Sequence, residues 1–320
     1  MNRQAARIGI FIILFAWVVS GCGDSGATAG PGDEKLKLSA SMYPLAFFAE
    51  QIGGEHVTVT HLVPPGVDAH DFEPTPKDVV RMADSDILLY NGVGLEGWVD
   101  KVKRTLEGKV LIVNTTEGVP LIGADPDHEE HQHDEHEKDH AHEHGNQDPH
   151  VWLDPIRAKQ QAAHIKDALV KKDPKHQGEY ERNYKRLARR LDDLHHLFKE
   201  TVDNADGKSF VVSHAAFGYL ANRYGLNQIS ISGLSPSEEP SPGKLREVVE
   251  TARKHRVRYI LFETLVSSKV AKTVQKEVGA RPLTLHPLEG LTPQEKSQGE
   301  DYFTLMEKNA KHLGKALETK

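Results

Sequence analysis

Short apolar runs rich in β-branched residues recur along this chain, separated by longer stretches in which apolar residues return every three or four positions. In the first half, Leu36–Ser41, Val57–Val63, Ile87–Tyr90 and Val110–Asn114 read as strands. In the second half, Phe210–Ser213, Gln228–Ser232, Tyr259–Glu263 and Leu283–Leu285 do. Helix starts lie between them. Thr75-Pro76 and Ser241-Pro242 each place a capping hydroxyl before a proline suited to the first helical position, and Asp154-Pro155 does so with a carboxylate. Strands alternating with helices predict an α/β fold of mainly parallel sheets with flanking helices. Four strands, an interruption and four more strands predict two similar lobes.

The interruption is itself patterned. Tyr184, Leu187, Leu191, Leu194 and Phe198 recur at helical spacing in a stretch without proline. One long helix over residues 176–205 is expected, joining a lobe at 36–175 to a lobe at 206–320. The start of the chain has another character. Arg3 and Arg7 precede the apolar run Ile8 to Val19, which is too short to span a bilayer that needs about 20 residues. A basic start, a short apolar core and small residues before a cut site read as a secretory signal over residues 1–21. Val19-Ser20-Gly21-Cys22 resembles a bacterial lipobox, which implies a lipid on Cys22 and a place on the extracytoplasmic face of the membrane. Residues 22–35 are then a flexible tether.

Charge changes the picture in one place. The whole chain carries −7, and without Arg3 and Arg7 it carries −9. Asp125 to Asp148 holds ten acids against Lys138, which is the same −9, so the rest is formally neutral. That balance argues against a nucleic-acid binder, which would show a basic face. From Asp127 the same segment carries His128, His131, His133, His136, His140, His142 and His144, in a run of acids with no apolar residue larger than Ala141. Such a run cannot offset the entropy of ordering, so residues 125–147 are expected to be a disordered loop that gathers metal loosely. His150 differs, because Val151, Trp152 and Leu153 give a fold the means to hold it still.

Ligands in parallel α/β sheets collect outside the carboxyl ends of strands. His70 follows the second strand on a proline-bounded loop. His150 precedes a capped helix. His214 stands at a strand-to-helix turn, Glu263 ends the seventh strand, and His286 and Glu289 follow the eighth. Cys22 is the only cysteine, so no internal thiolate is available and no disulfide can form. Three neutral imidazoles and one carboxylate make a natural Zn2+ set, whereas Mn2+ sites lean on carboxylate and water oxygens. For the fourth donor, a glutamate would offset half of the ion's charge. His286 is the alternative, with Glu263 orienting a ligand histidine from behind.

"GVDAHDFEPTPKDV", "DPHVWLDP", "SHAAFGYLANRYGL" and "LHPLEGLT" followed by "GEDYFTLMEKN" resemble the cluster A-I solute-binding lipoproteins of bacterial ABC importers, from about Leu36 to Leu313. The resemblance implies two four-stranded lobes on one long helix, with the metal between them. It implies His70, His150 and His214 as ligands and, through the "PLEGLT" found in some members, Glu289 as the fourth. It favours the zinc branch, because manganese members usually carry a carboxylate where His214 stands and zinc members often carry a histidine-rich insert. The implied function is capture of Zn2+ for an ABC-type permease, by a monomer anchored to the bilayer through Cys22. A manganese-binding relative and an adhesin are the alternatives. An enzyme is not expected: the chain offers no HExxH helix and no clear nucleophile-and-base pair.

Overall fold

The computed structural model describes residues 34–123, 147–265 and 269–318. Two four-stranded sheets organise it. The first contains β1 (Leu36–Ala40), β2 (Val57–His61), β3 (Ile87–Tyr90) and β4 (Leu111–Asn114), in the order β2-β1-β3-β4. The second contains β5 (Ser209–Val212), β6 (Asn227–Ser230), β7 (Tyr259–Phe262) and β8 (Arg281–Thr284), in the order β6-β5-β7-β8. Every neighbouring pair is parallel, with Leu38 opposite both Val59 and Ile87 in one sheet and Val211 opposite Ile229 and Ile260 in the other. The two lobes therefore repeat one topology. In each, the order reverses at the first strand, which opens a crevice at the carboxyl ends.

The helices are α1 (Tyr43–Gly53), α2 (Pro76–Ala83) and α3 (Val99–Leu106) in the first lobe, then α4 (Pro155–Lys172) and α5 (Gln177–Asp203). The second lobe adds α6 (Gly218–Tyr224), α7 (Pro242–Lys254), α8 (Lys269–Val278), α9 (Pro293–Ser297) and α10 (Tyr302–Leu317). Their starts are set locally. Thr75 caps α2 by accepting from Asp78 N, Asp154 caps α4 by accepting from Ile156 N, and Ser241 caps α7 by accepting from Lys244 N. Each has proline in its first turn, where the missing N–H costs nothing.

The 27 residues of α5 make a rod of about 40 Å at 1.5 Å per residue. Tyr180, Leu187, Leu191, Leu194, Phe198 and Val202 form its buried stripe. That stripe belongs to one continuous apolar cluster that runs from Leu38 and Phe48 in the first lobe to Val212, Phe217 and Tyr302 in the second. Tyr302 seals the join: its ring lies 5.0 Å from Phe48, and its hydroxyl donates to the Trp152 carbonyl at 2.6 Å. Trp152 Nε1 in turn donates to Pro287 O at 2.7 Å. Buried Asp154 accepts from Arg157 and also from Arg223 on α6. A large apolar interface of this kind restrains rotation of one lobe against the other.

Strand ends differ from the sequence pattern by a residue or two. The eighth strand begins at Arg281 rather than Leu283, because Pro282 sits on an edge strand, where its missing N–H leaves no ladder bond unmade.

Candidate metal centre

Four side chains meet where the carboxyl ends of the two sheets face each other: His70, His150, His214 and Glu289. His70 lies on the loop between β2 and α2. His150 immediately precedes the buried turn Val151–Leu153 that leads into α4. His214 stands two residues beyond β5, after Ser213, and Glu289 stands five residues beyond β8. His150 and His214 have no exposure, and the Glu289 side chain keeps 2 %. The His70 side chain keeps 10 %, so it is the one donor that reaches the outside.

The mutual distances are informative. His70 Nε2 lies 3.2 Å from His150 Nε2, and His214 Nε2 lies 3.3 Å from His150 Nε2. Glu289 Oε1 is 3.3, 3.4 and 3.6 Å from the Nε2 atoms of His70, His150 and His214. A tetrahedral zinc with bonds of about 2.0–2.1 Å has ligand-to-ligand edges of roughly 3.3–3.4 Å. These five separations lie close to the edges that a tetrahedral zinc ion requires, from three nitrogen donors and one oxygen donor.

Carboxylates stand behind the rings. Asp148 Oδ1 accepts from both His150 Nδ1, at 2.8 Å, and His150 N, at 2.9 Å. Glu263 Oε1 lies 2.6 Å from His214 Nδ1, off the ring's N–H axis, and accepts from Ser213 Oγ. Asp68 Oδ1 accepts from His70 N at 2.9 Å. The contacts of Asp148 and Glu263 present Nε2 of His150 and His214 to the cleft, as a carboxylate behind a ligand histidine does, whereas Asp68 fixes the backbone of His70. The backbone beside His150 is fixed as well, because Asn91 Nδ2 donates to Pro149 O at 2.9 Å and Gln161 Nε2 holds the Asn91 oxygen.

The electrostatics follow from this packing. Burial alone would raise Glu289, but the three imidazoles against its oxygen hold it well below the usual carboxylate range. Burial alone would lower His214, but the Glu263 carboxylate and then Glu289 push it up to about 10. His150 is also raised: the bonds from Asp148 and Glu289 outweigh its burial. Metal-free, the cleft holds protons that an incoming cation displaces.

His286, the alternative fourth donor, is not in this group. Its buried ring turns away, with Nδ1 accepting from Leu288 N at 2.9 Å and Nε2 lying 3.3 Å from Glu295 Oε1. Its own backbone is clasped by Asn309, at 2.8 Å through N and 2.7 Å through O. Leu288 has a positive φ of 58°, a strained conformation for a side chain of that size. The imidazole therefore stabilises the turn that aims Glu289 into the cleft. Glu263 sits behind His214 rather than among the four.

Asp148 was hidden in the sequence by the charge run that it ends, although it is only 2 % exposed. The signal that would have found it is the repeated spacing Asp68-Ala69-His70 and Asp148-Pro149-His150, where the carboxylate caps the histidine's own N–H. Asp148 also bridges the lobes. Tyr219 donates to its carbonyl at 2.7 Å, and a Cβ at Gly218 would lie 2.4 Å from its Oδ2, so a side chain there would push the Asp148 carboxylate aside. The run His128, His131, His133, His136, His140, His142 and His144 lies outside the described residues, as does Cys22. The letters HEKDH at His136–His140 do match HExxH spacing, also outside them.

The model of the zinc-uptake complex component A family, described as periplasmic, matches residues 39–316. The high-affinity zinc uptake system protein ZnuA of Bacillus subtilis is 39% identical over 315 residues, covering 97% of both chains. The zinc-binding lipoprotein AdcA of Streptococcus pneumoniae is 39% identical over 281 residues, which are 88% of this chain and 56% of AdcA. The crystal structure of the Zn(II)-bound ZnuA-like domain of AdcA superposes with a TM-score of 0.74 at 36% identity, covering 89% of this chain and 99% of that one. The laminin-binding protein Lmb of Streptococcus agalactiae, described as a bifunctional protein with adhesin and metal-transporting activity, gives a TM-score of 0.75 at 28% identity, covering 88% of this chain and 100% of Lmb.

Proposed function

Because the chain belongs to the zinc-uptake complex component A family, we propose that it is the extracytoplasmic substrate-binding protein of a zinc ABC importer. It captures Zn2+ between its two lobes and delivers the ion to the membrane permease. The observation that carries this reading is the set of His70, His150, His214 and Glu289 atoms around one point, in which His150 Nε2 lies 3.2–3.3 Å from the other two imidazoles and Glu289 Oε1 lies 3.3–3.6 Å from all three. Three nitrogens and one oxygen at that spacing suit zinc. Manganese would ask for more oxygen donors and a higher coordination number. Four protein donors also leave no open position for a reacting water, which argues for binding rather than hydrolysis.

The ion enters beside His70, the donor with outside access. The loop that carries it reaches across to the other lobe, where Gly66 N donates to Leu291 O at 3.1 Å, next to the Glu289 turn. Opening that loop contact frees one donor while the buried interface around Tyr302 stays shut. Zinc then leaves for the permease by the way it entered. Among the described residues no helix is long and apolar enough to cross a membrane. The membrane attachment proposed here is the acyl chain on Cys22, with the protein acting as a monomer.

The test is replacement of His70, His150 or His214 by alanine in the full chain. Each should weaken zinc binding by orders of magnitude, abolish growth on scarce zinc, and leave the far-UV circular dichroism unchanged. Zinc-induced thermal stabilisation should shrink in parallel, because it scales with the logarithm of ligand concentration over Kd. A full zinc-induced melting shift in any one variant removes that residue from the site.

A further inference from the structure

We propose a second, weaker zinc site at the opposite end of the first lobe, formed by His56 Nε2 with the carboxylates of Glu55 and Glu179. One donor atom from each of the three residues lies within 4.8 Å of the others, and His56 Nε2 is 2.9 Å from Glu179 Oε2. The site is remote from the cleft. His56 precedes β2, while the cleft donors lie beyond the carboxyl ends of the strands. The five residues of β2 alone span about 17 Å at roughly 3.3 Å each.

The donors come from two elements, and the His56 donor is fixed by its surroundings. The His56 ring is sandwiched. His176 stacks on it at 3.6 Å with 16° between planes, and Tyr180 meets it edge-on at 6.1 Å and 79°. His176 is itself fixed through Nδ1 to Asp173 Oδ2 at 2.5 Å, and the same oxygen accepts from Tyr180 OH at 2.7 Å. The turn that carries Glu55 and His56 depends on Gly54 at φ 56°. It is tied to α5 by Asn183 Nδ2, which donates to Ile52 O at 2.9 Å. Donors held in place before an ion arrives lose less conformational freedom on binding it.

The charge is also right. Two carboxylates and a neutral imidazole supply −2 around a doubly charged ion, with water completing the shell. A plain ion pair between His56 and Glu179 accounts for one carboxylate only. It leaves Glu55 beside a like charge, which a cation between them would stabilise. Arg182 lies near Glu179 and Glu55 is exposed. Both weaken the site relative to the buried cleft, and this sets its rank as the second ion rather than the first. An ion here would tie the α1–β2 turn to the start of the long helix and stiffen the first lobe when zinc is plentiful.

The experiment uses the full chain preloaded with one equivalent of zinc and then titrated with zinc alone. The imidazole nitrogens of His56 are followed by NMR, so zinc taken up by the histidine run does not enter the reading. The Nε2 resonance of His56 should move and saturate in the micromolar range. Glu55→Gln, an exposed change that keeps the His56–Glu179 contact, should weaken that response by about tenfold or more. A His56 signal that stays fixed up to about 1 mM zinc overturns the proposal. So does a Glu55→Gln response equal to that of the unmodified chain, which would reduce the cluster to an ion pair.

Discussion

Asp148→Asn removes one charge from behind the cleft and little else. Asp148 Oδ1 receives two hydrogen bonds from His150, one from the ring at 2.8 Å and one from the backbone at 2.9 Å. Asparagine retains an oxygen able to accept both, while Asp148→Ala retains neither. Losing the partner behind a metal-bound histidine costs about 10–100-fold in affinity, or roughly 1.4–2.7 kcal/mol. The asparagine variant should fall near the lower figure, because geometry survives and only charge is lost. The alanine variant should reach the upper one, since it leaves a buried His150 N–H unpaired at a further cost of about 1–3 kcal/mol to the fold. The assay is competition for zinc against a chelator of known affinity, across a range of pH, with circular dichroism on the metal-free proteins. The pH series separates positioning from simple loosening. Burial lowers the His150 pKa, but its bonds to Asp148 and Glu289 raise it above the ordinary value, so metal-free His150 keeps its proton to higher pH than an ordinary imidazole, and zinc must displace that proton. Asparagine releases that proton more easily, and the rise of affinity with pH should flatten. A merely loosened protein would lose affinity equally at every pH. Unchanged affinity in both variants, or parallel pH profiles, would refute the role assigned to Asp148.

The two candidates after β8 should separate cleanly. Glu289→Gln should lower zinc affinity by orders of magnitude, whereas His286→Ala should lower the melting temperature with little effect on affinity, since it strips the acceptor from Leu288 N at a cost of about 1–3 kcal/mol. Equal losses of affinity, measured by the same competition, would return His286 to the cleft. Protonation gives a further test. His214 is raised from the usual 6.5 to about 10 in the metal-free fold, so its contribution to metal-free stability is fully present below about 6.5 and is lost as pH rises through about 10. Zinc must displace that proton. Affinity should therefore climb by about tenfold per pH unit between roughly pH 7 and 9, and a flat profile there would count against the Glu263–His214 contact.

The sequence alone determined the α/β class and the two-lobed plan, because those rest on local chemistry. Helix caps at Thr75, Asp154 and Ser241 act within three residues, and β-rich runs between them leave parallel sheets as the way to pair. Strand ends such as that at Pro282 were less legible, since ladder bonds depend on which strand is the neighbour. The histidines at positions 70, 150 and 214 were visible as chemistry at strand ends. Their meeting, with His150 at 3.2–3.3 Å from the other two rings and Glu289 at 3.3–3.6 Å from all three, is a property of two lobes packed through Tyr302, Trp152 and Phe48. His286 and Glu289 are separated by only Pro287 and Leu288, and nothing local says which side chain faces the cleft. The choice lies in contacts far along the chain: Asn309 clasps the His286 backbone from α10, and Trp152 holds Pro287 from the first lobe. Asp148 is the same lesson in reverse. In the sequence it closes a run of solvated acids. In the fold it is buried between His150 and Gly218, because burial is set by what the other lobe brings to it rather than by its neighbours in the chain.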